Sequence, residues 1–212
     1  MDAILVTGFE PFQGEALNPS WEVARSLAGE TLGVHYKIIA RRLPTVYGQA
    51  GEELVQAIRD IEPRAVVCLG EAGGRTHVTP ERVAINIMDA RIPDNAGQKP
   101  VDEPIAPDGP AAYFSTLPIR AMVEAMCQAN VPAHISNTAG TFVCNDTFYR
   151  LMHFIAEQAP GLIGGFIHVP YMTEQALNKQ APSLPLATLT AGIRTALTVV
   201  ASALGPSSVP RC

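Results

Sequence analysis

Cys144 and His168 are the residues whose types and placement suit covalent chemistry. Cys144 closes the stretch Ser136-Asn137-Thr138-Ala139-Gly140-Thr141-Phe142-Val143 and stands just ahead of a helical pattern over residues 146–158. A thiol at a helix N-terminus lies beside unpaired backbone N–H groups and the positive end of the helix dipole. Both favour the thiolate, so a lowered thiol pKa is expected. His168 lies near the end of the next strand-like run, residues 162–169. Such a cysteine and a histidine at the ends of neighbouring strands suit a cysteine hydrolase. The Cys144 N–H can serve as an oxyanion donor, and Ala139-Gly140 permits close backbone approach.

The ordinary roles stand against this reading. A lone cysteine is usually an inert core residue, the reading given to Cys68 in its apolar run and to Cys127 on the apolar side of a helix. Cys212 is expected to be exposed and incidental. His35, His77, His134 and His153 lack a partner cysteine and read as structural or surface residues.

The elements that must position the pair alternate along the chain. Strand-like runs cover residues 3–7, 36–40, 65–69, 133–136 and 162–169. Between them lie helical patterns over 19–27, 46–61, 119–129, 146–158 and 186–204. Asn18 followed by Pro19 reads as an N-cap and first helical residue. Val46, Ala50, Leu54, Ala57, Ile58 and Ile61 mark one helix face. The alternation predicts right-handed βαβ units and an α/β/α sandwich, a three-layer fold around a largely parallel, mixed and twisted sheet. Residues 75–106 interrupt it, with a possible strand at 83–88 and then a Pro/Gly/Asp-rich stretch, read as a hairpin or excursion at one end of the sheet. With no linker or internal repeat, residues 1–212 are expected to form one domain.

Ligands of open α/β sheets bind beyond the carboxyl ends of the strands. Gly8-Phe9-Glu10-Pro11-Phe12, Gly70-Glu71-Ala72-Gly73-Gly74-Arg75, Cys144 and His168 should all gather there. Phe9 and Phe12 could wall an apolar pocket or merely anchor their loop. The Gly-rich loop fits neither the phosphate-loop nor the dinucleotide pattern, and Glu71 would repel phosphate. Glu81 reads from sequence as a surface carboxylate, raised only by the need for a third group to orient His168.

Composition narrows the function classes. The chain has 212 residues, 47% hydrophobic and 17% charged, enough for a sizeable α/β core. A net charge of -5 and no basic run longer than Arg41-Arg42 disfavour nucleic acid. The apolar stretch after Asp2 is too short for a signal core and lacks a basic leader. No apolar run is expected to approach transmembrane length, so a cytoplasmic protein with reduced cysteines is expected. The four cysteines form no C-x-x-C pair, so a zinc site has little support.

Several of these segments carry a family resemblance. Gly8-Phe9-Glu10-Pro11-Phe12, Gly73-Gly74-Arg75, Pro80-Glu81-Arg82-Val83-Ala84-Ile85-Asn86, the stretch from Ser136 to Asn145, and Ile167-His168-Val169-Pro170 together resemble pyroglutamyl peptidase I, also called pyrrolidone-carboxylate peptidase. The resemblance spans essentially the whole chain. It implies a cytoplasmic cysteine peptidase that removes an N-terminal pyroglutamyl residue, commonly as a homotetramer, with no metal or cofactor. It implies Cys144 as nucleophile, His168 as general base and then acid, and Glu81 as orienting carboxylate. It also implies Arg91 near the oxyanion, and Phe9, Phe12, Thr45, Ile92, Phe142 and Val143 around the substrate ring.

Two positions depart from the pattern. Gln13 stands where the family commonly has glycine. Glu71 stands where it commonly has glutamine, in a loop expected at the substrate pocket. That tight loop is expected to present its backbone to the ligand, with the Glu71 side chain turned to solvent or to Arg75. Two alternatives remain from the residues themselves. One is another cysteine amidohydrolase or deamidase on the same scaffold, and the other is a metabolite-binding module using the Gly-rich loop.

Overall fold

The computed structural model describes residues 1–205, so Cys212 lies outside the described residues. The N-terminal half contains β1 (Asp2–Phe9), α1 (Pro19–Leu27), β2 (Thr31–Leu32), β3 (Tyr36–Leu43), α2 (Gln49–Ile61) and β4 (Ala65–Glu71). Then follow β5 (Thr79–Pro80), β6 (Val83–Ile85), β7 (Ala112–Phe114) and α3 (Ile119–Gln128). The rest is α4 (Val143–Gln158), β8 (Ile163–Val169), β9 (Tyr171–Met172), α5 (Thr173–Ala176), β10 (Ser183–Leu184) and α6 (Leu186–Leu204).

The main sheet has the order β2-β3-β1-β4-β8-β5. Its four central strands are parallel, and β2 and β5 run antiparallel at the edges. The mixed α/β sandwich predicted from the alternation is therefore present. β1, β4 and β8 are near-continuous buried runs because helices cover both faces, whereas β3, next to the edge, carries the exposed Lys37, Arg41 and Arg42. The two-residue period of a strand sorts the side chains. Ile4, Val6, Val67, Leu69 and Ile167 meet α1, α3 and α6 through Val23, Leu27, Met122, Ile193 and Leu197. Leu5, Val66, Cys68 and Phe166 meet α2 and α4 through Leu54, Ile58, Phe148 and Leu151.

Several boundaries differ from the sequence expectation. α2 begins at Gln49, not at residue 46, because Gly48 takes φ 74 and cannot continue a right-handed helix. Residues 133–136 do not form a strand. They make only the isolated bridges Val78↔Ala133 and Glu81↔Ser136. The expected excursion is present, with β6 and β7 pairing antiparallel away from the main sheet. α1 matches closely: Asn18 Oδ1 accepts from the Ser20 backbone N–H at 3.0 Å, with Pro19 at the first helical position.

α6 corrects another expectation. By length and composition it is apolar enough to cross a membrane. Here Leu189, Ile193, Ala196, Leu197 and Val200 are fully buried against the sheet and α3, while Arg194 pairs with Glu30 on the outer side at 2.7 Å. It is a core helix whose apolar faces pack on protein.

Candidate active site

Parallel register brings the carboxyl ends of the central strands to one edge, where Gly70 pairs with His168 and Glu71 with Val169. α4 starts there at Val143, so Cys144 sits in its first turn. The cap residue Phe142 offers no side-chain hydrogen bond, which leaves the first-turn amides uncapped by side chains. The next two residues pin that turn in place. Asn145 donates to the Ile85 and Ile87 carbonyls at 2.9 and 3.0 Å and accepts from Ile85 N–H at 3.0 Å. Asp146 accepts from Gly48 N–H at 2.9 Å and from Arg150 at 2.8 Å. Sequence reading missed both anchors because their partners lie far away in the chain.

Glu81 reaches the site through β5. The Glu81 N–H donates to Phe166 O at 2.9 Å, and Arg82 N–H donates to Ser136 O at 2.8 Å. This fastens the segment after β5 between β8 and residues 133–136. Glu81 is fully buried, and its Oε1 pairs with His168 Nδ1 at 2.7 Å. The surface reading of Glu81 thus gives way to its role as the buried partner of His168. Arg75, not singled out in the sequence reading, donates to the same Oε1 at 2.6 Å.

Cys144 and His168 line one cavity of about 270 Å³. Phe9, Phe12, Phe142 and Val143 give it apolar walls, and Thr45, Glu71 and Arg75 add polar groups. Phe12 and Phe142 face each other with ring centroids 6.1 Å apart. Thr45 is held by its hydroxyl, which donates to Glu10 O at 3.0 Å. Of the residues anticipated at the site, Phe9, Phe12, Thr45, Glu71, Glu81, Phe142, Val143, Cys144 and His168 converge here. Arg91 and Ile92 do not line this cavity. They line an adjoining one that shares Phe12, Glu71 and Phe142, and Arg91 is exposed.

The Glu71 side chain also differs from expectation. It is turned inward, with Oε2 accepting from Gln175 Nε2 at 2.9 Å. Burial raises its pKa, opposed by the Gln175 hydrogen bond. Gln13 takes φ 54, a left-handed conformation that accounts physically for glycine being the easier residue there.

Electrostatics oppose the expected thiolate. Burial, then the carboxylates of Glu71 and Glu81, push the Cys144 thiol up to about 12, against the opposing charge of Arg75. Burial also lowers the His168 pKa, although Glu81 pulls it upward. Glu81 is destabilised by burial but is held below the usual carboxylate range by His168, Ser136 and Arg75. Burial thus favours the thiol and the neutral imidazole, and it opposes the helix N-terminus. Cys127 differs as well: it is exposed, with its thiol donating to Ala133 O at 3.5 Å.

The geometry suits nucleophilic acyl transfer by a cysteine, and sequence relationships fix the family. Residues 2–203 match the family model described as pyroglutamyl peptidase. The chain belongs to the pyroglutamyl peptidase family. It is 54% identical over 201 residues to a pyrrolidone-carboxylate peptidase of Streptomyces coelicolor, covering 95% of this chain and 93% of the relative. It is 51% identical to one from Bacillus licheniformis, over 93% of this chain and 92% of that one. The crystal structure of Bacillus amyloliquefaciens pyroglutamyl peptidase I superimposes with a TM-score of 0.94 at 46% identity, covering 97% of this chain and 100% of that one. A variant pyrrolidone carboxyl peptidase from Pyrococcus furiosus gives 0.92 at 40% identity, over 95% and 99% of the two chains. As a pyroglutamyl peptidase family member the protein is a cysteine peptidase, and Cys144 stands in the first turn of α4 on the cavity wall.

Proposed function

We propose that this enzyme hydrolyses the amide bond after an N-terminal pyroglutamyl residue, with Cys144 as nucleophile, His168 as base and acid, and Glu81 as orienting carboxylate. The observation that carries the reading is the buried 2.7 Å pair of His168 Nδ1 and Glu81 Oε1, beside a cavity lined by both His168 and Cys144. With Nδ1 held by Glu81, Nε2 is the nitrogen available to the thiol.

His168 Nε2 takes the Cys144 proton as Sγ attacks the scissile carbonyl carbon. The uncapped amide of Cys144 offers the oxyanion a donor. The imidazolium, stabilised by Glu81, then gives its proton to the leaving amine as the C–N bond breaks. The product is a thioester and a shortened peptide. Water, deprotonated by His168, attacks the thioester, and the thiol departs with a proton. This route suits a neutral resting pair, because proton transfer accompanies attack.

The apolar walls support selection for a closed lactam, which carries no charge. An open N-terminal glutamine would bring an ammonium against Phe9, Phe12, Phe142 and Val143 at a cost of about several kcal/mol. The reading extends to a cytoplasmic homo-oligomer, commonly a tetramer, on the strength of the family resemblance. The net charge of -5 supports a peptide partner in preference to nucleic acid. The test compares fluorophore release from pyroglutamyl and glutaminyl amides. Cleavage of the first alone is expected, and comparable cleavage of both would favour a broader amidohydrolase.

A further inference from the structure

Arg75 touches three residues around the site. It follows the turn Gly73-Gly74, in which Gly74 takes φ 88 and a Cβ on Gly73 would lie 2.2 Å from the Tyr171 ring. That turn folds the guanidinium back over the carboxyl end of the sheet. Nη1 donates to Glu81 Oε1 at 2.6 Å and also to the Thr79 hydroxyl. Nη2 donates to Thr138 O at 3.1 Å, in the loop that runs through Ala139-Gly140 to Cys144. One carboxylate oxygen therefore serves both Arg75 and His168, the latter at 2.7 Å.

We infer that Arg75 is a positioning residue of the catalytic apparatus, fixing Glu81 against His168 and tying both to the loop that leads into Cys144. The inference rests on the peptidase reading above. A carboxylate shared with a guanidinium has less negative charge to offer an imidazolium. The Arg75 charge also acts through space to lower the pKa of His168, and it lowers that of Cys144. The titratable groups around the imidazole are Glu81 from the segment after β5, which it touches, and Arg75 from the loop after β4, Cys144 and Glu71, which line the same cavity. Arg75 is the cation among them. Its presence keeps His168 neutral, and so competent as a base, to lower pH.

The sign follows directly. Removing the charge frees Glu81 of its competing cation and stabilises the imidazolium. The acid limb of kcat/KM should then move to higher pH. Arg75→Gln is expected to shift that limb upward by about half to one pKa unit. It should also lower kcat about tenfold or more, as Glu81 and the Thr138 loop lose their common anchor. Arg75→Lys keeps the charge but lacks the fork that reaches two acceptors at once. It should keep the parent acid limb while losing kcat. An unmoved limb in Arg75→Gln, or an equal shift in Arg75→Lys, overturns the inference.

If Arg75→Gln does not fold, Arg75→Lys decides alone: parental kcat in that variant overturns the positioning role. NMR titration of the His168 imidazole reads the shift without turnover. A parent enzyme inactive on pyroglutamyl amide would defeat the peptidase reading, and the titration would still report on Arg75. The titration should show a raised imidazole pKa in Arg75→Gln and the parental value in Arg75→Lys.

Discussion

A Cβ on Gly70 would lie 2.8 Å from Cys144 Sγ and 2.7 Å from the Phe166 ring. The sulfur of α4 thus rests against the bare backbone of β4, in a slot that any side chain would fill. Gly70→Ala must push the sulfur and the ring aside. Because reacting atoms displaced by about 1 Å cost about a hundredfold, kcat should fall by about that factor. Circular dichroism and turnover on pyroglutamyl amide check this together. Parental kcat in a folded Gly70→Ala would mean that the slot does not position the thiol.

Substitutions in the catalytic apparatus should form a graded series. Cys144→Ala and Cys144→Ser should abolish turnover with the fold intact, since serine's far higher pKa makes it a poor substitute. His168→Ala should be nearly as severe, because it removes both base and acid. Glu81→Gln keeps an acceptor for His168 but loses the carboxylate that steadies the imidazolium, so kcat should drop by about 10²–10⁴ with measurable activity left. Steady-state kinetics rank the three. A Glu81→Gln loss equal to that of Cys144→Ala would require a direct role for the carboxylate.

Glu71 should act through its side chain on both activity and stability. Its pKa is raised by burial, so the folded protein holds this proton to higher pH than the unfolded chain. As pH rises through the unfolded value, the unfolded state ionises first and stability is lost. Glu71→Gln removes that loss while keeping an acceptor for Gln175. Thermal melts at pH 8 should rise by about 2–4 °C, the response of a chain this size to about 1 kcal/mol, with little change near pH 4. The same substitution removes a carboxylate that raises the Cys144 pKa, so the alkaline limb of the pH–rate profile should move to lower pH. A profile and melting curve equal to the parent's at both pH values would restore the backbone reading of this loop.

Thiol labelling should not single out Cys144. Its thiol is pushed up to about 12, whereas Cys127 is exposed. At neutral pH iodoacetamide should modify Cys127 at least as fast as Cys144, and Cys68, buried and also at about 12, last. A pyroglutamyl chloromethyl ketone, delivered to the cavity, should reverse the preference. Peptide mapping of the two labelled samples separates these outcomes. Rapid iodoacetamide labelling confined to Cys144 would show a thiolate at rest.

The local chemistry of the site is written in short segments. Asn18-Pro19 specifies the start of α1, the apolar runs specify the central strands, and residues 136–145 place Cys144 at a helix start, because capping and periodicity act over a few residues. His168 and the carboxyl ends of the strands follow from the same alternation. Tertiary structure decided what depends on pairing across long separations. Glu81 meets His168 across 87 residues, through an edge strand of two residues that no periodicity marks. Arg75 reaches Thr138 across 63 residues, and Gly70 meets Cys144 only because β4 packs beneath α4. The thiol's protonation state belongs to the same class. A helix N-terminus is visible in sequence and argues for a thiolate, but the desolvation and the two carboxylates that oppose it exist only once the cavity has closed around the sulfur.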